Sequence, residues 1–141
     1  MTAMFPEARI LEALLVHLQT LTGTPPVIWS NVQYPAQGQT KADQYIIVSF
    51  SPGTPTQEVI DSLDENKHVG ILGLGLMSPL NGGELDSQEL GGKVADHFHG
   101  RVLASGSTKV RITARPRVAG GYVDGDRWRT PVTVPFETVA V

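Results

Sequence analysis

The chain contains no cysteine, which excludes disulfides, thiol chemistry and cysteine-ligated metal centres together. Aromatic residues make up 6% of its 141 positions. With so few to interleave with its cations, and an acidic pI near 5.7, it lacks the composition of a dedicated nucleic-acid binder. Charged residues are also sparse at 18%, but the hydrophobic share of 40% keeps the composition in the folded rather than the disordered class. No apolar run reaches the length that spans a bilayer. The opening MTAMFPEARILEALLVHL lacks the basic-then-apolar layout of a signal peptide. Synthesis and folding in a cytoplasm are expected, as one domain over residues 1–141 with enough chain for a core of its own.

What charge there is divides unevenly. Residues 1–100 hold 4 basic and 11 acidic side chains, whereas residues 101–141 hold 7 basic and 3 acidic ones. A split of this kind bears on association more than on fold.

The hydrophobic pattern predicts two helices and several strands. Pro6 suits a first helical turn. Ile10, Leu14, Leu18 and Leu21 follow at helical spacing, and Gly23, Pro25 and Pro26 stop the helix near Thr22. A short strand at Val27–Ser30 leads into a polar connection, Val32–Asp43, and then into the strand Tyr45–Ser51. Residues Pro52–Lys67 are rich in proline, glycine and acid, with a weak strand expected around Glu58–Leu63 as one arm of a hairpin. His68–Ser78 is a long apolar strand spaced by Gly70, Gly73 and Gly75. A second helix is marked by Leu90, Val94 and Phe98. Asp86 and Glu89 are spaced as a capping box, and Gly100 stands where a C-terminal cap belongs. Thr108–Val118 alternates as a strand, and AGGYVDGD makes the turn into the last one. The long connections Val32–Asp43 and Pro52–Asn66 are expected to be mobile in the free subunit and ordered at a partner.

The closing stretch DGDRWRTPVTVPFETVAV has an apolar face on its even positions and a polar face on its odd ones, yet Pro131 and Pro135 interrupt it on the same parity. Both delete backbone donors from one lateral side, which predicts a strand shielding a sheet edge from uncontrolled pairing. The element order predicts an α+β fold: a single antiparallel or mixed β-sheet with two helices packed on one face.

No motif for chemistry survives inspection. GILGLG lies within a strand and reverses the dinucleotide fingerprint, and SGSTKV lacks the order of a phosphate loop. His97 and His99 flank Phe98 and point to different faces, whereas zinc on one helix needs a pair four residues apart. Asp124-Gly125-Asp126 lacks the later ligands of a calcium loop and reads as a hairpin turn. The expectation is no catalytic residues, no metal, no cofactor and no enzymatic activity.

The landmarks taken together do form a pattern. A leucine-rich first helix, "NVQYP" leading into "YIIVSF", "HVGILGLGLMSP", "LGGKVADHFHG" and the "DGDRWRTPVTVPF" finish resemble the phage tail terminator-like proteins of lambda-type siphophages over nearly the full chain. The resemblance implies a structural virion protein of the tail and neck, present in the host cytoplasm before assembly and touching no membrane. Its subunits would close into a homo-oligomeric, hexameric ring that caps the tail tube and ends its polymerisation. One face of the ring would meet the tail tube protein and the other the head–tail connector protein, with DNA passing through without sequence-specific binding. The alternatives are another neck station, such as a head-closure or minor tail protein, and a small ligand-binding or enzymatic domain, which would need a concave pocket with convergent polar groups. For the ring contact, the charge split nominates Arg115, Arg117, Arg127 and Arg129 on one subunit against Glu58, Asp61, Asp64 and Glu65 on the next. Arg127 and Arg129 fall on the polar face of the last strand, so reversing their charge is expected to leave the subunit folded.

Overall fold

The computed structural model describes residues 5–23, 25–29, 31–35, 37–38, 40–53, 56–57, 66–105 and 108–139. Helix α1 (Pro6–Gln19) carries proline in its first turn and buries Ile10, Ala13, Leu14 and Leu18. These positions are three and four residues apart and so form one stripe. After it come β1 (Val27–Trp29), β2 (Tyr45–Pro52), the two-residue strands β3 (Thr56–Gln57) and β4 (Asn66–Lys67), and β5 (Val69–Pro79). Helix α2 (Leu85–Phe98) is followed by β6 (Val102–Ser105), β7 (Thr108–Ile112), β8 (Arg117–Val118), β9 (Tyr122–Asp124) and β10 (Arg127–Val139).

The fold is α+β, as its periodicities predict, with a sheet larger than they indicate. Its strands run in the order β1-β2-β5-β10-β7-β6, with β8 and β9 also paired to β10. Every pairing is antiparallel except β1 with β2, so the sheet is mixed. Alternation divides it into two faces. Ile46, Val48, Leu72, Leu74, Leu76, Val110, Ile112, Val132, Val134 and Phe136 point to one side and form the core with α1 and α2. Helix α1 lies over β6 and β7, and α2 over β10 and β8. The opposite face of the sheet carries no helix among the described residues.

Two prolines in a central strand find their explanation in the partner strand. β10 pairs with β5 without interruption from Arg127↔Pro79 to Glu137↔Val69, so it shields no edge; the outer strands are β1 on one side and β6, β8 and β9 on the other. The carbonyls of Pro131 and Pro135 accept from the N–H groups of Ala119 (2.9 Å) and Thr113 (3.2 Å), on the side away from β5. In an antiparallel strand a residue's N–H and C=O point the same way, so the missing donors face that side too. There the partner strand bulges. From Phe136↔Ile112 to Thr133↔Arg117, β10 advances three residues while its partner advances five. From Val132↔Val118 to Arg129↔Tyr122 the steps are three and four. The expected continuous strand Thr108–Val118 is therefore two strands, and the expected turn AGGYVDGD contains a third. Each proline sits where the ladder is already broken, the position in which a central strand tolerates it. Edge protection is not their role.

Other local expectations also meet tertiary limits. The capping box does not form: α2 starts after Glu84 with no side-chain cap, and Asp86 lies inside the first turn. Its charge still suits the positive helix end. The weak strand expected at Glu58–Leu63 lies outside the described residues, although β3 and β4 on either side do pair as a hairpin.

The glycines of β5 serve both faces. Gly70 lies on the core face, where an added Cβ would come within 2.8 Å of the Phe136 ring and the Ser51 carbonyl oxygen. Its absence lets Phe136 stack on Phe50 across the strand, centroids 5.6 Å apart. Gly73 and Gly75 lie on the other face, beneath Ser49 Oγ and the Arg129 guanidinium. In α2, Gly91 packs against Val118, whereas a Cβ on Gly92 would meet nothing within 4 Å. Two substitutions separate these cases. Gly70→Ala should lower stability by about 1–3 kcal/mol through overpacking. Gly92→Ala should raise it by about 0.5–1 kcal/mol through helix propensity. Urea denaturation midpoints would check both, and equal effects of the two changes would contradict the packing assignment.

Candidate assembly surfaces

Much of the charge split is sorted between layers, although Arg115 of the basic half joins the helical side. Glu7, Glu84, Asp86, Glu89 and Asp96 are exposed along the helical layer, accompanied by Lys93. The bare face of the sheet bears Lys109, Arg111, Arg117, Arg127 and Arg129 against Asp124 and Glu137, as strand register places them. Topology thus converts a difference between chain halves into a difference between faces.

The bare face also has a relief of its own. One row across four strands reads Val69, Glu137, Arg111 and Val102. Arg111 donates to the Glu137 carboxylate. Val69 at 44% and Val102 at 58% exposure flank this pair, with Ile71 at 43% in the neighbouring row of β5. Further down, Arg117 lies beside Thr133 and Gly73.

The four arginines nominated from sequence separate into two kinds. Arg115 leaves the bare face altogether, because it stands in the bulge between β7 and β8 and pairs with Asp96 of α2. Arg129 lies flat over Gly75 with Nη1 donating to Asp124 Oδ2 at 3.3 Å. Arg127 has a side chain only 16% exposed. It donates through Nη2 to the Ala42 carbonyl at 3.2 Å and through Nη1 to Asp126. Its Nε is buried without a partner. Arg117 is exposed and unpaired among the described residues. Glu58, Asp61, Asp64 and Glu65 lie outside the described residues. Reversing Arg127 and Arg129 would set new carboxylates against Asp126 and Asp124, so it is not the fold-neutral change their parity suggests.

Arg127 is instead a strut for the connection before β2. Lys41 Nζ donates to Asp126 Oδ1 at 2.8 Å and stands 5.5 Å from the Tyr45 ring centroid. That bond is the main cause raising the Lys41 pKa and lowering the Asp126 pKa. The Ala42 N–H donates to the Tyr34 hydroxyl at 2.9 Å, and Tyr34 packs against Tyr45 at 4.9 Å. Residues 40–44, which lead into β2, are thus tied to the β9–β10 turn within one subunit. No single-residue signal announced this knot; it joins positions 85 apart in sequence.

A cleft of about 670 Å³ runs beside α2, lined by Gly23, Pro25, Gln44, Asp86, Glu89, Lys93, Asp96 and Arg115 among others. Its charged side chains are exposed and Arg115 is paired with Asp96. Among the described residues, no group of three or more histidine or acidic side chains is placed to hold a metal. No described helix is long and apolar enough to cross a membrane.

Arg127→Met would keep the aliphatic stem and remove the donors to Ala42 and Asp126. A hydrogen bond to a charged group contributes about 1.5–3 kcal/mol, so amide exchange over residues 40–44 should quicken about tenfold or more. Unchanged exchange would assign the tether to Lys41 and Tyr34 alone.

A family model described as phage tail terminator protein matches residues 9–136. No curated protein matches the chain. One solved structure aligns with a TM-score of 0.70 at 16% identity, covering 96% of this chain and 94% of the other. At that identity the likeness speaks for the fold alone.

Proposed function

We propose that this chain, which belongs to the phage tail terminator family, ends growth of a tail tube as a closed ring of identical subunits, six in number. A structural role in the phage tail follows from the family itself. The ring, its capping of the tube and its junction with the head connector are the finer reading. One rim would seat on the last ring of tube protein and the other would take the connector, leaving a passage for DNA that makes no sequence-specific contact.

The observation that carries the ring is the sorting of charge between layers. A ring requires two different patches on each subunit, one meeting the other on the next copy. A basic sheet face and an acidic helical layer are such a pair, and exposed Val69, Ile71 and Val102 supply apolar area beside the cations. Among the nominated arginines the contact rests most on Arg117, joined by Lys109. Arg115, Arg127 and Arg129 would act mainly within their own subunit. The acidic side comprises Asp86 and Glu89 of α2, together with Glu58, Asp61, Asp64 and Glu65.

The double variant Lys109→Glu, Arg117→Glu should stay folded, since both side chains are exposed and unpaired among the described residues. Exposed charges are screened over about 8–10 Å at ordinary salt, so its assembly defect should be largest at low ionic strength. Light scattering and negative-stain imaging would report ring mass and ring size. A parent-like ring from the double variant would remove these residues from the interface, and a ring of another size would favour a different neck station.

A further inference from the structure

The C-terminal ends of the two helices meet through a pair of histidines that the assembly reading does not use. His17 stands in the last turn of α1 and His97 in the last turn of α2. Their rings stack with centroids 4.0 Å apart and planes 12° from parallel. His17 Nε2 donates to the His97 carbonyl at 2.6 Å, and His97 Nε2 donates to the His17 carbonyl at 2.7 Å. The His17 ring therefore satisfies a carbonyl at the open end of α2, while the His17 carbonyl that His97 meets also accepts from the Thr20 backbone N–H at 3.1 Å. Thr20 donates its hydroxyl to the same His17 carbonyl at 2.5 Å, and its oxygen stands 2.8 Å from His97 Nε2. Phe98 meets both rings edge-on, at 5.0 and 6.1 Å. A carbonyl can only accept, so both rings are in the Nε2–H form and an added proton must go to Nδ1.

We propose that the His17–His97 pair is an acid-sensitive clasp that holds the end of α1 against α2 while the rings are neutral and loosens when they take up protons. The protonated rings would keep their hydrogen bonds, so the weakness is electrostatic: two like charges stacked 4.0 Å apart. Around the pair, α1 contributes Thr20, α2 contributes Phe98, and the segment entering β6 contributes the cation of Arg101, whose charge also acts on His17. β6 and β7, on which α1 lies, turn Lys109 and Arg111 to the other face of the sheet. Among the described residues, no carboxylate is one of the groups acting on His17. The negative ends of the two helix dipoles favour cations there, and they act against the repulsion.

The direction of the pH effect follows from His17. Burial lowers its pKa from the ordinary value, and the charges of His97 and Arg101 lower it further, against a rise from the His97 carbonyl. A histidine with a lowered folded pKa binds fewer protons in the folded than in the unfolded chain. Stability is therefore intact above the unfolded value of about 6.5 and is lost as pH falls below it.

The test combines a titration of the parent protein with one variant. Imidazole NMR signals, followed from about pH 8 to about pH 5, should show His17 taking its proton below the ordinary imidazole value of about 6.5. Backbone signals of residues 17–21 should shift in the same step. The urea midpoint of the parent should fall as pH drops below about 6.5. The double variant His17→Gln, His97→Gln can still donate to both carbonyls but cannot be charged, and its midpoint should fall less. The clasp is overturned if His17 takes its proton at or above the ordinary imidazole value of about 6.5, or if parent and variant midpoints run parallel with pH. Should the variant fail to fold, the parent titration decides alone. Ring assembly enters neither readout, so the clasp and the proposed function stand or fall separately.

Discussion

The pairing of β5 with β10 is the constraint from which the rest of the molecule follows. These strands run antiparallel over eleven residue pairs without a break, from Arg127↔Pro79 to Glu137↔Val69. A register maintained over that length assigns every side chain in both strands to a face, and a slip of one residue would turn the apolar set of one strand, Leu72 and Leu74 or else Val132, Val134 and Phe136, into water. With the register set, β2 extends the sheet on one side and the broken strand β7–β8–β9 extends it on the other. Both helices can then cover only the apolar face. The bare, basic face is the consequence of the same alternation and needs no separate cause.

Within that frame, residues that look like defects prove to be fits between neighbours. Gly70 leaves room for the Phe136 ring on one face, while Gly73 and Gly75 leave room for Ser49 and Arg129 on the other. Pro131 and Pro135 stand opposite bulges, so the donors they lack would have met no regular partner. The bulges have consequences of their own. The longer one carries Arg115 to the helical side, where it pairs with Asp96. The shorter brings Gly121 beneath Trp128, a place where no Cβ could stand. It also sets the Gly121 N–H against the Glu84 carboxylate at 3.0 Å, just before α2 begins.

Electrostatics in the subunit operates at two ranges. At short range, Arg111, Arg115, Arg127 and Arg129 each have an acidic partner in the same chain. Exposed pairs of this sort contribute little to stability, about 0–1 kcal/mol, but here they position loops and strand ends. At long range, the sum of charges differs between the two layers, and that difference bears on how copies meet. The two roles compete for the same residue type. An arginine that anchors its own chain has less to offer a neighbour, which is why Arg117 and Arg127 are not equivalent despite their similar places in the sequence.

The sequence by itself determined the α+β class, α1, the strands β2 and β5, the helical core positions Leu14, Leu18, Val94 and Phe98, and the alternation of β10. Each rests on a period of 3.6 or 2 that a short window contains in full. Local composition also carried the imbalance of charge, and the landmark order carried the family. Tertiary structure alone decided that β10 is central rather than an edge, because edge status depends on which strands lie beside it, and those come from elsewhere in the chain. It alone decided which arginines are tied down. Arg127 meets Ala42 across 85 positions and Arg115 meets Asp96 across 19, and no periodicity encodes such contacts. The histidine pair is of the same kind. His97 stood out in the sequence only beside His99, whereas its partner is His17, at the end of a helix 80 residues earlier. A side chain's face can be read from its neighbours in sequence, but its partner is fixed by how the elements pack.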